Sequence, residues 1–236
     1  MKNTLFRFKE FEVDQTGCAM KINTDGVLLG AMADSDVPRY ILDIGTGTGV
    51  IAMMLAQRFP TAHIDAVEID SQAVATAQKN FQRSPFSDRL QVIEGSFEHI
   101  KREYLYDLII SNPPFYTNSL HNPDERKKTA RHTDLTFFTT MLAFAQRSLQ
   151  TSGTLQLILP TELAAEITVS AKDYGLHLAH AISIRSFENT EVIRQIISLQ
   201  KAANKMETRD NFVIYAEKGV YSTAYRDILQ PFFLAF

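Results

Sequence analysis

Asp43-Ile44-Gly45-Thr46-Gly47-Thr48-Gly49 is the stretch that decides how this chain is read. It follows an apolar run, Tyr40-Ile41-Leu42-Asp43-Ile44, that reads as a buried strand. It opens a helical pattern from Val50 to Phe59, which Pro60 stops. Glycines in a strand–turn–helix context are informative, because they permit backbone angles closed to other residues and let a ligand approach the main chain. The loop also lies at the carboxyl end of a strand and at a helix N-terminus, where open α/β sheets bind ligands.

Dinucleotide sites use Gly-x-Gly-x-x-Gly and lay a pyrophosphate on the helix N-terminus. Here the spacing is Gly-x-Gly-x-Gly, and Asp43 precedes it. A carboxylate there repels a pyrophosphate and suits a cation, such as the ammonium or sulfonium of S-adenosyl-L-methionine. On this reading Asp43, Gly45, Thr46, Gly47 and Gly49 line a cofactor; a tight turn without a ligand is the plain alternative. The next strand, Ile64–Ile69, ends about 20 residues beyond the loop, where the carboxylate of Glu68 is placed to accept hydrogen bonds from ribose hydroxyls. Glu68 and Ile69 thus mark an adenosine, a feature NAD would share. Ser96-Phe97, after a third strand, is expected to border the adenine; a helix cap at Ser96 and a core Phe97 are the alternative.

Outward from this centre, Ser71 is expected to cap a helix running to Arg83, ahead of the break at Ser84-Pro85. Leu90–Glu94, Asp107–Ser111 and Thr154–Leu159 read as further strands, and Leu135–Leu149 as the clearest helix. Such alternation predicts an α/β fold with a largely parallel sheet and helices on both faces. Leu178–Arg185 and Val192–Gln200 are joined by too few residues for a parallel crossover, which predicts an antiparallel pair. Phe212–Tyr215 reads as a short strand and Thr223–Leu229 as a terminal helix. A single domain is expected over 1–236, with residues 1–35 as an N-terminal extension carrying an Asp25-Gly26 turn signal, and 36–236 as the core.

Composition sets limits. A chain of 236 residues, 45% hydrophobic, can bury one sizeable core. No apolar run approaches the roughly 20 residues of a membrane span, and the first residues lack the apolar stretch of a signal peptide. The single cysteine, Cys18, excludes an internal disulfide, reads as a buried small residue, and fits a cytoplasmic protein. The histidines show no metal-ligand spacing, so no metal is expected. A net charge of −3 argues against a globally basic nucleic-acid binder, so any RNA contact is a local patch.

The sharpest chemical signal is Asn112-Pro113-Pro114-Phe115, directly after a strand. Two prolines make a stiff, extended turn. The Asn112 carboxamide oxygen and the Pro113 carbonyl can offer two acceptors to one planar amine, and Phe115 a ring on which its base stacks. An adenine N6 lone pair is delocalised into the ring and is a poor nucleophile. Accepting both N–H groups polarises the amine, and the rest is in-line alignment with a methyl sulfonium. The alternative is a plain turn with a core phenylalanine.

Asp43–Gly49, Glu68 and Asn112–Phe115 together resemble the class I S-adenosylmethionine methyltransferases that act on amine or amide nitrogens. The resemblance implies a Rossmann-like, seven-stranded sheet with the last strand antiparallel. Three more segments resemble the bacterial tRNA1(Val) (adenine-N6)-methyltransferase family: Ala19-Met20-Lys21-Ile22-Asn23-Thr24-Asp25-Gly26-Val27-Leu28-Leu29-Gly30-Ala31, then Ala130-Arg131-His132, and the ending Tyr221–Phe236. The likeness covers nearly the whole chain. It implies methylation of the adenine just 3′ of the anticodon of a valine tRNA. It also places Lys21, Thr24 and Asp25 beside the cofactor. Glutamine methyltransferases usually carry tyrosine where Phe115 stands, plus an N-terminal helical domain; guanine-N2 enzymes are commonly longer tandems. DNA adenine, RNA guanine and protein glutamine remain the alternative substrates.

Arg126-Lys127-Lys128 and Arg131-His132 form a basic cluster just beyond this motif, placed to meet phosphates flanking a base on Phe115. Lys201, Lys205 and Arg209 form a second cluster. The segment from Tyr116 to Thr133 is expected to be a mobile loop, and the enzyme a monomer acting on tRNA.

Overall fold

The chain starts with a small antiparallel hairpin, Leu5–Arg7 (β1) and Glu12–Asp14 (β2), followed by a helix at Thr24–Ala31 (α1). Alternation then sets in: Tyr40–Ile44 (β3), Val50–Arg58 (α2), His63–Glu68 (β4), Ser71–Arg83 (α3), Leu90–Glu94 (β5), Tyr106–Ser111 (β6), Glu125–Ser148 (α4), Leu149–Leu159 (β7) and Thr161–Ala171 (α5). Next come His177–Arg185 (β8), Val192–Gln200 (β9), Thr208–Val213 (β10), a second hairpin of Tyr215–Glu217 (β11) and Val220–Tyr221 (β12), and Thr223–Leu229 (α6). The computed structural model describes residues 4–18, 20–113, 125–201 and 207–236, with side chains for all of these except 125–134.

The main sheet has eight strands in the order β10-β8-β9-β7-β6-β3-β4-β5. β9 runs antiparallel to β7 and β8, and every other pairing is parallel. The expected antiparallel pair is therefore present. The expected count of seven is corrected to eight, because β10 adds in parallel to the outer edge of β8. Thr208 to Asn211 are exposed and polar, so this edge strand pairs through its backbone without an apolar signature. The expected strand Phe212–Tyr215 is split at Ile214, whose amide still donates to Arg185 O (3.0 Å) while Tyr215 turns off to pair with Tyr221.

Strand pleating divides the interior into two cores. Ile41, Leu108 and Ile110 face the helices α1, α2, α3 and α6. Their neighbours Leu42 and Ile109 face α4 and α5. Both faces are thus covered, and the central strands β3, β4, β6 and β7 are buried over most of their length, as parallel sheets require.

Among the local boundaries that differ from expectation, three have a visible reason. Asp25-Gly26 is no turn but the first turn of α1, because Asn23 caps the helix and Val27, Leu28 and Leu29 are buried. Asp70, not Ser71, caps α3; its Oδ1 accepts from Gln72 N (2.8 Å) and Ala73 N (2.9 Å). α4 begins at Glu125, so residues 125–133 of the expected mobile loop are helical backbone, while 116–124 lie outside the described residues.

Candidate active site

β3 sits where the sheet order reverses: β4 and β5 extend one way, β6 and β7 the other. The loops leaving β3 and β6 therefore diverge and open a crevice at the carboxyl edge. Ile44 and Ser111 are register partners, and Ser111 Oγ donates to Ile44 O (2.8 Å). Gly45 and Asn112 thus leave adjacent strands about 4.8 Å apart, one on each side of the crevice.

The glycine loop has its expected shape. Gly45, Gly47 and Gly49 adopt φ of 73°, 55° and 83°. At Gly49 a Cβ would lie 2.3 Å from the Phe81 ring, so α3 shapes the loop from beneath. At Gly45 and Gly47 a Cβ would meet nothing within 4 Å, so the space above the loop is open. Asp43 is fully buried, and its Oδ2 accepts from Thr46 Oγ1 (2.6 Å). Among the described residues no group closes a hydrogen bond to its Oδ1. Burial pushes the Asp43 carboxyl up to about 7; the Glu68 charge adds to this, and the Thr46 hydroxyl and Ala52 amide oppose it. A buried carboxyl with an orphan oxygen lacks a compensating partner, and a cationic ligand seated on the glycine loop would favour its charged form.

Glu68 ends β4 half-buried. Its Oε2 accepts from Gly47 N (3.0 Å), and its Oε1 from Ile69 N (2.8 Å) and Asp70 N (3.0 Å). The carboxylate is therefore fixed at the crevice mouth, with one lone pair open on Oε2. A second ribose hydroxyl has to displace one of these amides. Ile69 beside it is 75% exposed, an apolar side chain left facing the open edge. Cys18 is half-buried rather than fully buried as expected; burial raises its thiol, the Thr76 hydroxyl opposes this, and the nearby charges of Asp70 and Glu68 raise it further, the reverse of an activated nucleophile.

Ser96 and Phe97 take their structural alternative. Ser96 Oγ accepts from Glu98 N (3.3 Å) to cap a short 3-10 turn. Phe97 is 6% exposed and meets Phe137 and Phe144 edge-on, so its ring is core and offers no face to an adenine.

The N-terminal extension runs along α3 and then along the crevice. Asn80 Oδ1 accepts from Asp14 N, and its Nδ2 donates to Asp14 O and Thr48 O (2.9 Å each). Thr76 Oγ1 donates to Thr16 O (2.9 Å), and Ile22 N to Gln15 Oε1 (2.9 Å). The segment then enters α1, whose first turn reaches Asn112: Asn112 Nδ2 donates to Asn23 Oδ1 at 3.5 Å. Asp25 is held by Arg194 of β9 (Nε to Oδ2, 2.8 Å). Lys21 and Thr24 are exposed on this segment.

The structure thus gathers Asp43, Gly45, Thr46, Gly47, Gly49, Glu68, Ile69, Asp25 and Asn112 at one edge. Pro113 is buried there, while Pro114 and Phe115 lie outside the described residues. Arg126, Lys127, Lys128 and Arg131 lie on the first turns of α4, beyond the described side chains. Lys201 and Arg209 sit at the opposite edge, because β9 runs antiparallel and β10 only begins there. Lys201 Nζ donates to Leu149 O (2.6 Å), and Arg209 Nε to Glu207 Oε1 (2.6 Å); Lys205 is outside the described residues. Sequence reasoning missed Asn23, Asn80 and Arg194. An asparagine just before an apolar helical run is a cap signal that would have found Asn23. Nothing local marks the other two. Among the described residues no cluster of three metal-ligating side chains occurs, and no helix is long and apolar enough to cross a membrane.

Comparison with known proteins agrees with this geometry. Residues 21–173 match the methyltransferase small domain family. The chain is 53% identical over 236 residues to the tRNA1(Val) (adenine(37)-N6)-methyltransferase of Pedobacter heparinus, covering 100% of both chains. It is 39% identical to the enzyme of that name from Porphyromonas gingivalis, covering 99% of this chain and 96% of that one. A solved structure described as a predicted O-methyltransferase of Agrobacterium tumefaciens superimposes with a TM-score of 0.68 at 20% identity, covering 88% of this chain and 96% of its own. That last likeness concerns the fold alone, which is the Rossmann-like methyltransferase architecture. Full-length identity of this order means that the chain belongs to the tRNA1(Val) (adenine(37)-N6)-methyltransferase family.

Proposed function

We propose that this protein transfers a methyl group from S-adenosyl-L-methionine to N6 of adenine 37 in tRNA1(Val). The observation that carries the reading is the meeting of the glycine loop and Asn112 across the β3–β6 switch point, in a chain of this family. Gly45, Thr46, Gly47 and Gly49 wrap the cofactor. Asp43 balances its cationic end from beneath the loop, Glu68 takes a ribose hydroxyl on Oε2, and Ile69 packs on the adenine. Lys21, Thr24 and Asp25 wall the methionine side, and the Ser96-Phe97 backbone borders the adenine edge. The bound cofactor supplies an electrophilic methyl carbon on a sulfonium.

The rest is the work of this chain's residues. The Asn112 oxygen and the Pro113 carbonyl accept the two N6 hydrogens, which localises the lone pair on nitrogen. Pro114 stiffens the turn, and Phe115 stacks on the extruded base. The proton leaves after transfer, so no general base is needed beforehand. An anticodon-loop base is already partly unpaired, which lowers the cost of flipping it. Arg126, Lys127, Lys128 and Arg131 meet the flanking phosphates, which would localise RNA binding on a chain of net charge −3. The chain acts as one domain and as a monomer.

The test is labelled methyl transfer into an unmodified valine tRNA transcript and into the same transcript with adenine 37 replaced by guanine. Label in the first and none in the second is expected. Equal label in both would move the target to another nucleotide, and label in DNA or protein alone would overturn the RNA reading.

A further inference from the structure

We infer that Asn23, in the N-terminal extension, is a positioning residue that sets which way the Asn112 carboxamide faces. This rests on the proposed role of Asn112. A carboxamide has an acceptor end and a donor end of nearly equal shape, so an asparagine that must accept from an amine is useful in only one of two orientations. Asn23 fixes that choice. Its Oδ1 accepts from Gly26 N at 2.8 Å, capping α1, so the atom at that point has to be oxygen; a nitrogen there would oppose two donors. The same oxygen has a second lone pair, and the Asn112 side chain approaches it with Nδ2 at 3.5 Å. Turning Nδ2 to Asn23 leaves Asn112 Oδ1 on the other side of a rigid planar group, available to the substrate amine. The contact is long, as catalytic hydrogen bonds often are before the site is loaded.

Asn23 itself is held firmly. Val27, Leu28 and Leu29 bury α1 in the core, and Asp25 is bound to Arg194 of β9 at 2.8 Å. A Cβ on Gly26 would stand 3.5 Å from both Asn112 Nδ2 and Asn23 Oδ1, so the first turn of the helix packs directly against the Asn112 side chain. The N-terminal extension therefore reaches the reacting end of the crevice as well as the cofactor walls.

Two substitutions separate orientation from capping. Asn23→Ser keeps a good cap but its oxygen is one bond shorter and does not reach Asn112. Asn23→Asp keeps the cap and retains an oxygen facing Nδ2. The inference predicts that Asn23→Ser lowers kcat roughly threefold to tenfold, the rate equivalent of one neutral hydrogen bond. Melting temperature, cofactor affinity and KM for the tRNA should stay unchanged, and Asn23→Asp should restore kcat to within about twofold of the wild type. Wild-type kcat in Asn23→Ser, or equal loss in Asn23→Ser and Asn23→Asp, would overturn it. Asn112→Ala measured alongside keeps the two readings apart. Full turnover in Asn112→Ala sinks the role of Asn112 itself. An inactive Asn112→Ala with a fully active Asn23→Ser sinks only the orienting role.

Discussion

Replacing Asn80 by leucine should loosen the cofactor loop and destabilise the whole domain, although Asn80 lies on α3 and outside the crevice. The side chain is 2% exposed and makes three hydrogen bonds of 2.9 Å, two with the backbone of Asp14 and one with the Thr48 carbonyl. It thereby ties β2 and the glycine loop to one point of α3. Leucine has similar volume and no polar atom, so the change removes the bonds without opening a cavity. Each bond is worth about 0.5–1.5 kcal/mol net, giving about 3 kcal/mol for the three. Thr48 is itself buried, so water cannot take over its carbonyl and the value should fall in the upper half of that range. In a domain of this size each kcal/mol moves the melting temperature by about 2–4 °C, so about 3–4.5 kcal/mol predicts a drop of about 6–18 °C. Thermal unfolding followed by circular dichroism reads this directly, and calorimetric titration with S-adenosylmethionine should show weaker binding. A melting temperature within about 2 °C of the wild type, or unchanged cofactor affinity, would refute the idea that this side chain anchors the loop.

Arg102→Ala should destabilise by about 3–5 kcal/mol in a urea titration, because it strands the buried Asp65 carboxylate, which accepts two bonds of 2.8 Å from that guanidinium beside those from Tyr104 and Tyr106; a loss below about 1 kcal/mol would mean the two tyrosines suffice. Asp43 should leave a signature in the pH dependence of stability. Its carboxyl rises from 3.8 to about 7 on folding, so its contribution is complete below pH 4 and is lost as pH climbs through 7. The wild type should therefore lose stability relative to Asp43→Asn between those limits, and parallel curves would contradict the burial argument. Glu68→Gln keeps at most neutral bonds on one oxygen and turns an NH2 donor on the remaining amide donors, and should weaken S-adenosylmethionine binding roughly tenfold to a hundredfold in a fluorescence titration; affinity within about threefold of the wild type would remove Glu68 from the ribose site.

The elements that line the crevice were legible in the sequence because each combines a strong period with punctuation. β3 is a buried run that ends in glycines, and β6 one that ends at Asn112-Pro113. Edges were harder. β10 contributes exposed Thr208 to Asn211 and gains its place only by pairing with β8, which no local pattern announces. Asp25-Gly26 reads as a turn by propensity, and tertiary burial of Val27 to Leu29 overrides it. Phe97 shows the limit for site residues: an aromatic after a strand looks the same whether it faces a ligand or, as here, Phe137 and Phe144. Where Lys201 and Arg209 lie could not be read from the sequence, since only the direction of β9 decides which edge its end occupies. Asn80 and Arg194 act across long stretches of chain, on Asp14 and Asp25, and such pairings exist only once the fold is formed.

The most direct test compares wild type and Asn112→Ala for methyl transfer from labelled S-adenosylmethionine into unmodified tRNA, with nucleoside analysis of the product and cofactor affinity measured in parallel. Labelled N6-methyladenosine from the wild type, a loss of roughly a hundredfold or more in the variant, and unchanged cofactor binding are the expected results. Undiminished N6-methyladenosine from Asn112→Ala would contradict the assignment of amine polarisation to this asparagine.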